Sequence, residues 1–176
     1  MNVNISNLDK TLEHWASIDG YLNYQVSWFG RVLNTKTGRI LKPQKTHGYN
    51  HVNLSRNGKA KLHRIHVLVA REWVPNPEGK RCVDHIDGNR ANNNWENLRY
   101  ATHSENSMNQ KIRTDGSSVY KGVSYQAKTK KWKGTIVLER KFIHLGLFEC
   151  EREAAEAYNA AAVKFHKEFA KLNELD

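Results

Sequence analysis

The stretch Asp84–Asn97, DHIDGNRANNNWEN, constrains the fold more than any other. Asparagine at 89, 92, 93, 94 and 97 opposes helix and strand interiors alike, because the short amide competes for neighbouring backbone groups. Residues 89–96 therefore read as a loop held by its own side chains. A strand candidate at Val83 runs into the Asp87-Gly88 turn before the loop, and Asn97 to Ala101 is a second strand after it. Thr102 then stands three residues ahead of Glu105, the spacing of a capping box, which predicts a short helix over about 103–110. The order is strand, structured loop, strand, helix.

The flanks carry different signals. Tyr24 to Ser27, Arg31 to Leu33, Arg39 to Leu41 and Tyr49 to Leu54 read as strands, and Asn57-Gly58 predicts a tight hairpin into Ala60 to His63. At Ile65 the period changes: Ile65, Leu68, Val69 and Trp73 fall on one helical face, which Pro75 and Pro77 close. Residues 107–118 are polar without a period and read as a linker, placed at 113–117. Strand candidates follow at 120–125, 131–137 and 142–147, then a helix at about 151–169 with Ala154, Ala157, Tyr158, Ala161, Phe165 and Phe169 on one face. Three parts of about 60 residues or fewer are each marginal alone, so they are expected to lean on each other or on a ligand.

Charge narrows the partner. Against 18 acidic residues stand 28 Lys and Arg, a net charge of +10, which points to a polyanion. No apolar run approaches the roughly 20 residues of a membrane span, so no membrane role is expected. The first ten residues hold no apolar stretch of signal-peptide type. Cys82 and Cys150 are too few for a disulfide framework or a four-Cys zinc site, and two reduced thiols of a cytoplasmic protein are expected.

The residues with chemical promise are Asp84, His85, Asn97 and Asn106, which the strand–loop–strand–helix order would bring to one notch. Neutral imidazole can take a proton from water near pH 7. The Asp84 carboxylate and the Asn106 amide carbonyl are hard oxygen donors suited to Mg²⁺ or Mn²⁺. Asn97 could fix the His85 ring. Spacing alone does not decide the matter: a lone histidine is more often a satisfied structural one, and Asp84 could pair with a local arginine.

Asp84-His85-Ile86-Asp87-Gly88-Asn89, Asn92-Asn93, Asn97 to Thr102 and Glu105-Asn106 closely resemble the HNH (ββα-metal) nucleases of phage homing endonucleases. His66-Val67-Leu68-Val69-Ala70 resembles that family's preceding helix, departing at Val67, where the family usually has Arg. The resemblance implies that Asp84 and Asn106 bind one divalent Mg²⁺ or Mn²⁺ ion, that His85 is the general base and that Asn97 supports it. It implies no zinc, and the phage origin implies the cytoplasm of a bacterial host. Trp15, Ile18, Gly20-Tyr21, Tyr24 to Ser27 and Gly30 to Val32 resemble a modular DNA-binding motif that precedes such cores. Tyr120 to Val123, Trp132, Ile136, Leu145-Gly146, Phe148, Ala154-Ala155, Ala157-Tyr158, Ala160-Ala161, Ala170, Leu172 and Asn173 resemble the Apetala-type DNA-binding domain of plant transcription factors. Cys150 departs from that family's Thr and caps a helix poorly, so a loosely held helix start is expected.

The implied fold class is α+β and modular: a small β-rich N-terminal unit at 1–60, a ββα-metal HNH core at 61–112, and at 118–176 a three-stranded antiparallel sheet packed on one helix. If Val123, Ile136 and Leu145 face that helix, alternation turns other side chains toward DNA. The candidates are Lys121, Ser124, Gln126, Lys128, Lys130, Lys133, Thr135 and Arg140. The expected function is a site-specific, metal-dependent endonuclease acting on double-stranded DNA. No protein partner is implied, and a single core fits a monomer with a dimer open. The rival reading is a non-catalytic, sequence-specific DNA-binding protein on a nuclease scaffold.

Overall fold

The computed structural model describes residue 9, residues 11–110, residue 112 and residues 116–175. Of the expected linker, residues 113–115 lie outside the described residues. The chain forms two compact units, 1–101 and 102–176.

In the first unit, β1 (Trp15–Ser17), β2 (Tyr24–Ser27), β3 (Val32–Asn34) and β4 (Arg39–Ile40) make an antiparallel sheet in chain order. A second sheet follows from β5 (Gln44–Thr46), β6 (Tyr49–Arg56) and β7 (Lys59–Arg64). Asn57 and Gly58 both have positive φ, 51° and 74°, as a type I′ hairpin turn requires between twisted strands. Helix α1 (Ile65–Trp73) ends at Val74, whose extended backbone is what the following Pro75 imposes. The hairpin of β8 (Cys82–His85) and β9 (Leu98–Ala101) completes the unit.

These pieces share one core. Val26, Trp28 and Val32 of the first sheet pack with Val52 and Leu54 of the second, Leu68, Val69 and Trp73 of α1, and Leu98 of β9. The boundary expected near residue 60 is therefore not a boundary of packing. Each piece is too small to remove enough apolar surface from water by itself. The core also seats the asparagine loop. Trp95 stacks on Trp28 with ring centres 6.0 Å apart, and its backbone N–H donates to the Trp28 carbonyl at 2.8 Å. Gly30, at φ 86°, lets the turn after β2 approach the loop: a Cβ there would stand 2.7 Å from Asn93 Cβ.

In the second unit, helix α2 (His103–Met108) has the expected capping box: Glu105 N–H donates to Thr102 Oγ1 at 3.2 Å, and Thr102 N–H to Glu105 Oε2 at 2.7 Å. The helix stops at Met108 rather than running to 110. The antiparallel sheet β10 (Val123–Gln126), β11 (Lys131–Leu138) and β12 (Lys141–Phe148) packs on α3 (Glu151–His166), which ends in a 3₁₀ turn, Lys167–Phe169. Ala154, Ala155, Ala161 and Ala162 bring α3 close to the sheet. Between Gly134 and Thr135 the pairing slips, from Gly134↔Gly146 to Thr135↔His144, leaving Leu145 as the extra residue of a β-bulge. The start of α3 is better held than its Cys150 cap implies. The sulfur accepts from Glu153 N–H at 3.4 Å, while the Glu151 carboxylate accepts from Ser118 Oγ at 2.6 Å and Val119 N–H at 3.2 Å. Among the described residues no helix is long and apolar enough to cross a membrane.

Candidate nuclease site

Asp84 and His85 close strand β8, and both are more than nine-tenths buried. Across the hairpin, Asp84 faces Arg99 and His85 faces Leu98. Between them the loop is stapled through Asp87. Its carboxylate accepts from Asn89 N–H at 2.7 Å, Asn92 Nδ2 at 2.8 Å and Asn97 Nδ2 at 2.9 Å. Asp87 N–H donates back to Asn97 Oδ1 at 3.0 Å. Partial burial pushes the Asp87 carboxyl up, but the donors on it prevail and hold it below its ordinary value. The asparagines thus do what their composition suggests: they close a polar loop with side-chain-to-backbone bonds.

The ring partner of His85 is Asn93, where Asn97 was expected. Asn97 gives its amide to Asp87 and to the Asn92 carbonyl at 2.9 Å, so its link to His85 runs through the loop. Asn93 Nδ2 donates to the Ala91 carbonyl at 3.1 Å, which turns its Oδ1 toward His85 Nε2 at 3.4 Å. Behind His85 stand His66, with ring centres 4.8 Å apart, and Tyr49, at 6.1 Å. The guanidinium groups of Arg64 and Arg90 lie over the Tyr49 ring at 5.2 and 4.8 Å. Burial lowers the His85 pKa below 6.5, against the opposing pull of Asn93, Asp87 and Asp84, so the ring is neutral at pH 7.

His66 is buried with Nδ1 lacking a hydrogen-bond partner among the described residues, and burial together with the neighbouring His85 lowers its pKa from 6.5 to about 3. In the unfolded chain the same ring takes up a proton below about 6.5. Stability from this group is therefore full above pH 6.5 and is lost as pH falls toward 3, by about 1.4 kcal/mol per pH unit. Urea unfolding at pH 7.5 and 4.5 should show His66→Phe less acid-sensitive than wild type. An unchanged slope would mean that His66 titrates normally in the folded chain.

The Arg99 guanidinium grips Asp84 Oδ2 through Nε at 2.9 Å and Nη2 at 2.8 Å. Facing charges on two strands of one hairpin were a readable signal for this pair; Tyr49, far away in sequence, offered none. Asn106 lies in α2 of the second unit, half-buried, with its N–H donating to the Thr102 carbonyl at 3.0 Å. Among the described residues no group of three or more His, Cys, Asp or Glu side chains is arranged to hold a metal ion.

On the C-terminal sheet, Val123, Trp132 and Ile136 face α3, so Ser124, Gln126, Lys133 and Thr135 share the opposite face. Lys128 and Lys130 are exposed in the β10–β11 turn, and Arg140 is exposed in the β11–β12 turn. Two candidates are engaged elsewhere. Thr135 donates from both N–H (2.7 Å) and Oγ1 (3.3 Å) to the Gly122 carbonyl, occupying the sheet edge beyond β10. The Lys121 side chain is half-buried, and the desolvation lowers its pKa to about 8; it donates to the carbonyls of Met108 and Gln110. Lys131, on the outer face beside Gln126, pairs with Glu149 at 2.7 Å.

A buried, neutral histidine following an aspartate on a loop-bridged hairpin, with a capped helix next in sequence, defines a ββα-type nuclease scaffold. The HNH endonuclease family model matches residues 63–108, and the NUMOD4 motif model matches residues 13–55. The DNA endonuclease I-HmuI of Bacillus phage SP01 is 39% identical over 126 residues, covering 70% of this chain and 71% of that protein. The chain belongs to the HNH endonuclease family. The solved structure describing DNA binding and cleavage by the HNH homing endonuclease I-HmuI is 42% identical, with a TM-score of 0.51 over 55% of this chain and 57% of that one. An HNH endonuclease of Acanthamoeba polyphaga mimivirus is 38% identical over 92 residues, which is 52% of this chain but only 28% of that relative. An AP2-like ethylene-responsive transcription factor of Arabidopsis thaliana is 44% identical over 52 residues, 28% of this chain and 10% of that protein.

Proposed function

We propose that the protein is a site-specific endonuclease that hydrolyses phosphodiester bonds of double-stranded DNA, with His85 as general base. The observation that carries this reading is the environment of His85: buried, neutral and oriented by Asn93, immediately after Asp84. A carbonyl oxygen at Nε2 accepts the ring N–H, and in neutral imidazole that places the basic lone pair on Nδ1. His85 then takes the proton of the attacking water. The Asn97–Asp87 staple holds the loop so that the ring keeps its direction.

Asp84 and Asn106 are the residues to hold one Mg²⁺ or Mn²⁺ ion. The fit is chemical: a carboxylate and an amide carbonyl are hard oxygen donors, and a site with few protein ligands leaves places for water and phosphate. Arg99 fixes the Asp84 carboxylate through Oδ2. When bound, such an ion stabilises charge on the departing 3′ oxygen, giving 3′-hydroxyl and 5′-phosphate ends. In this reading Ser124, Gln126 and Lys133, which share the sheet face away from α3, enter the major groove, and Lys128, Lys130 and Arg140 meet phosphates at its two ends. The place of action in this reading is the cytoplasm of a phage-infected bacterium, in keeping with the phage source of the I-HmuI relative, and a single nuclease core fits a monomer.

The test is a cleavage assay on phage and host genomic DNA in Mg²⁺, Mn²⁺ or EDTA, with breaks mapped on each strand. Metal-dependent breaks at a few discrete sites are expected. Tight binding without breaks would instead favour a non-catalytic DNA-binding protein. If six to ten phosphates are engaged, affinity should fall by about 10³–10⁵ between 50 and 200 mM salt. A salt-insensitive affinity would sink the polyanion reading.

A further inference from the structure

Helix α2 bears Asn106 yet has little means of standing alone. It is six residues long, HSENSM, rich in weak helix formers and far below the length at which an isolated helix persists. Its N-terminal end is held by the Thr102–Glu105 box. Its C-terminal end is held from outside the helix: Lys121 Nζ donates to the Met108 carbonyl at 2.5 Å and to the Gln110 carbonyl at 2.7 Å. A cation on the last carbonyls of a helix is the favourable sign. Lys121 is itself clamped. Its N–H donates to Asn173 Oδ1 at 2.7 Å, and Asn173 Nδ2 donates to its carbonyl at 3.1 Å. Asn173 is tied in turn to Asn159 of α3, through Asn173 N–H to Asn159 Oδ1 at 2.8 Å and Asn159 Nδ2 to the Asn173 carbonyl at 2.9 Å. A continuous hydrogen-bonded chain therefore runs from α3 through Asn173 and Lys121 to the end of the helix that carries Asn106.

We propose that Lys121 is a positioning residue of the nuclease: by clamping the C-terminal end of α2 to the DNA-reading unit, it holds Asn106 ready for the metal ion. This rests on the reading of Asn106 as a metal ligand. The DNA-reading module thereby supplies part of the framework of the nuclease site. Lys121 makes this contribution without touching DNA, because two of its three ammonium protons are spent on the Met108 and Gln110 carbonyls.

The test uses the full chain and the variants Lys121→Met, Lys121→Arg and Asn173→Ala. Three quantities are read: DNA affinity against salt in EDTA, Mn²⁺ affinity of the DNA complex by electron paramagnetic resonance of free Mn²⁺, and cleavage against Mn²⁺ concentration. Lys121→Met is expected to bind DNA as wild type does, with the same salt slope, while its Mn²⁺ affinity falls about tenfold or more, the range for residues that orient a metal ligand. Its cleavage should recover at high Mn²⁺, and Lys121→Arg should restore most of the loss. Asn173→Ala, which keeps the ammonium but frees its backbone, should shift Mn²⁺ affinity in the same direction by less. A salt slope lowered by about one with Mn²⁺ affinity unchanged would make Lys121 a phosphate contact and overturn the proposal. So would Mn²⁺ affinity unchanged in both Lys121→Met and Asn173→Ala. Failure of the underlying reading is separable, since Asn106→Ala would then leave Mn²⁺ affinity intact.

Discussion

His85→Ala is expected to slow single-turnover cleavage by about 10²–10⁴-fold while leaving DNA affinity in EDTA unchanged. The size follows from the role. Without a base of suitable pKa, water must lose its proton to bulk solvent, and the ring that replaces that route is oriented by Asn93 and held neutral by burial. Intact binding follows from position, because His85 is packed among His66, Tyr49 and Asn93 rather than presented on an open face. A parallel melting curve separates lost chemistry from lost structure. Cleavage at the wild-type rate would remove His85 from the mechanism, and equal losses of binding and cleavage would make it a scaffold residue.

The second large effect is expected at Gly122. Its φ is 78°, and an added Cβ would stand 2.1 Å from Tyr158 Cδ2 and 2.5 Å from the Thr135 carbonyl oxygen. Neither neighbour has room to retreat. Tyr158 is buried under the sheet, and Thr135 is bonded to the Gly122 carbonyl. Gly122→Val therefore combines backbone strain with overpacking and should destabilise the second unit by on the order of 3 kcal/mol or more. The 1–101 unit, with its own core, should unfold as before. Urea unfolding followed at Trp132 against the tryptophans of the first unit would resolve the two. A change below about 1 kcal/mol would mean the sheet accommodates the side chain.

What was legible in the sequence was whatever short-range pattern dictates. The change of period at Ile65, the Asn57-Gly58 turn and the Thr102–Glu105 box each act within a few residues, and each is in place. The bulge escaped because it breaks the rule used to find strands. Ile143 and Phe148 both face the core although five residues apart, a separation that unbroken alternation cannot give. Gly146 was the available hint. Within the site, the motif pointed to His85 and Asp84, but which asparagine reaches the ring depends on how the loop folds back. Asn97 and Asn93 are chemically identical, and only the Asp87 staple assigns them different work. Lys121 is a phosphate candidate from the sequence because its charge is visible there, while its bonds to the Met108 and Gln110 carbonyls are not.

The bonds between Lys121 and Asn173 join positions 52 residues apart. Chains emerge from the ribosome N-terminal end first, at about 5–20 residues per second, so Asn173 arrives roughly 3–10 s after Lys121. By then residues 1–101, with a core of their own, have had time to close. The hydrogen bonds that tie the C-terminal end of α2 through Lys121 to Asn173 are completed only when translation has passed α3. Under the roles proposed for His85 and Asn106, a growing chain carries the base before it carries the anchored metal-ligand helix, so the order of synthesis itself would delay the finished site.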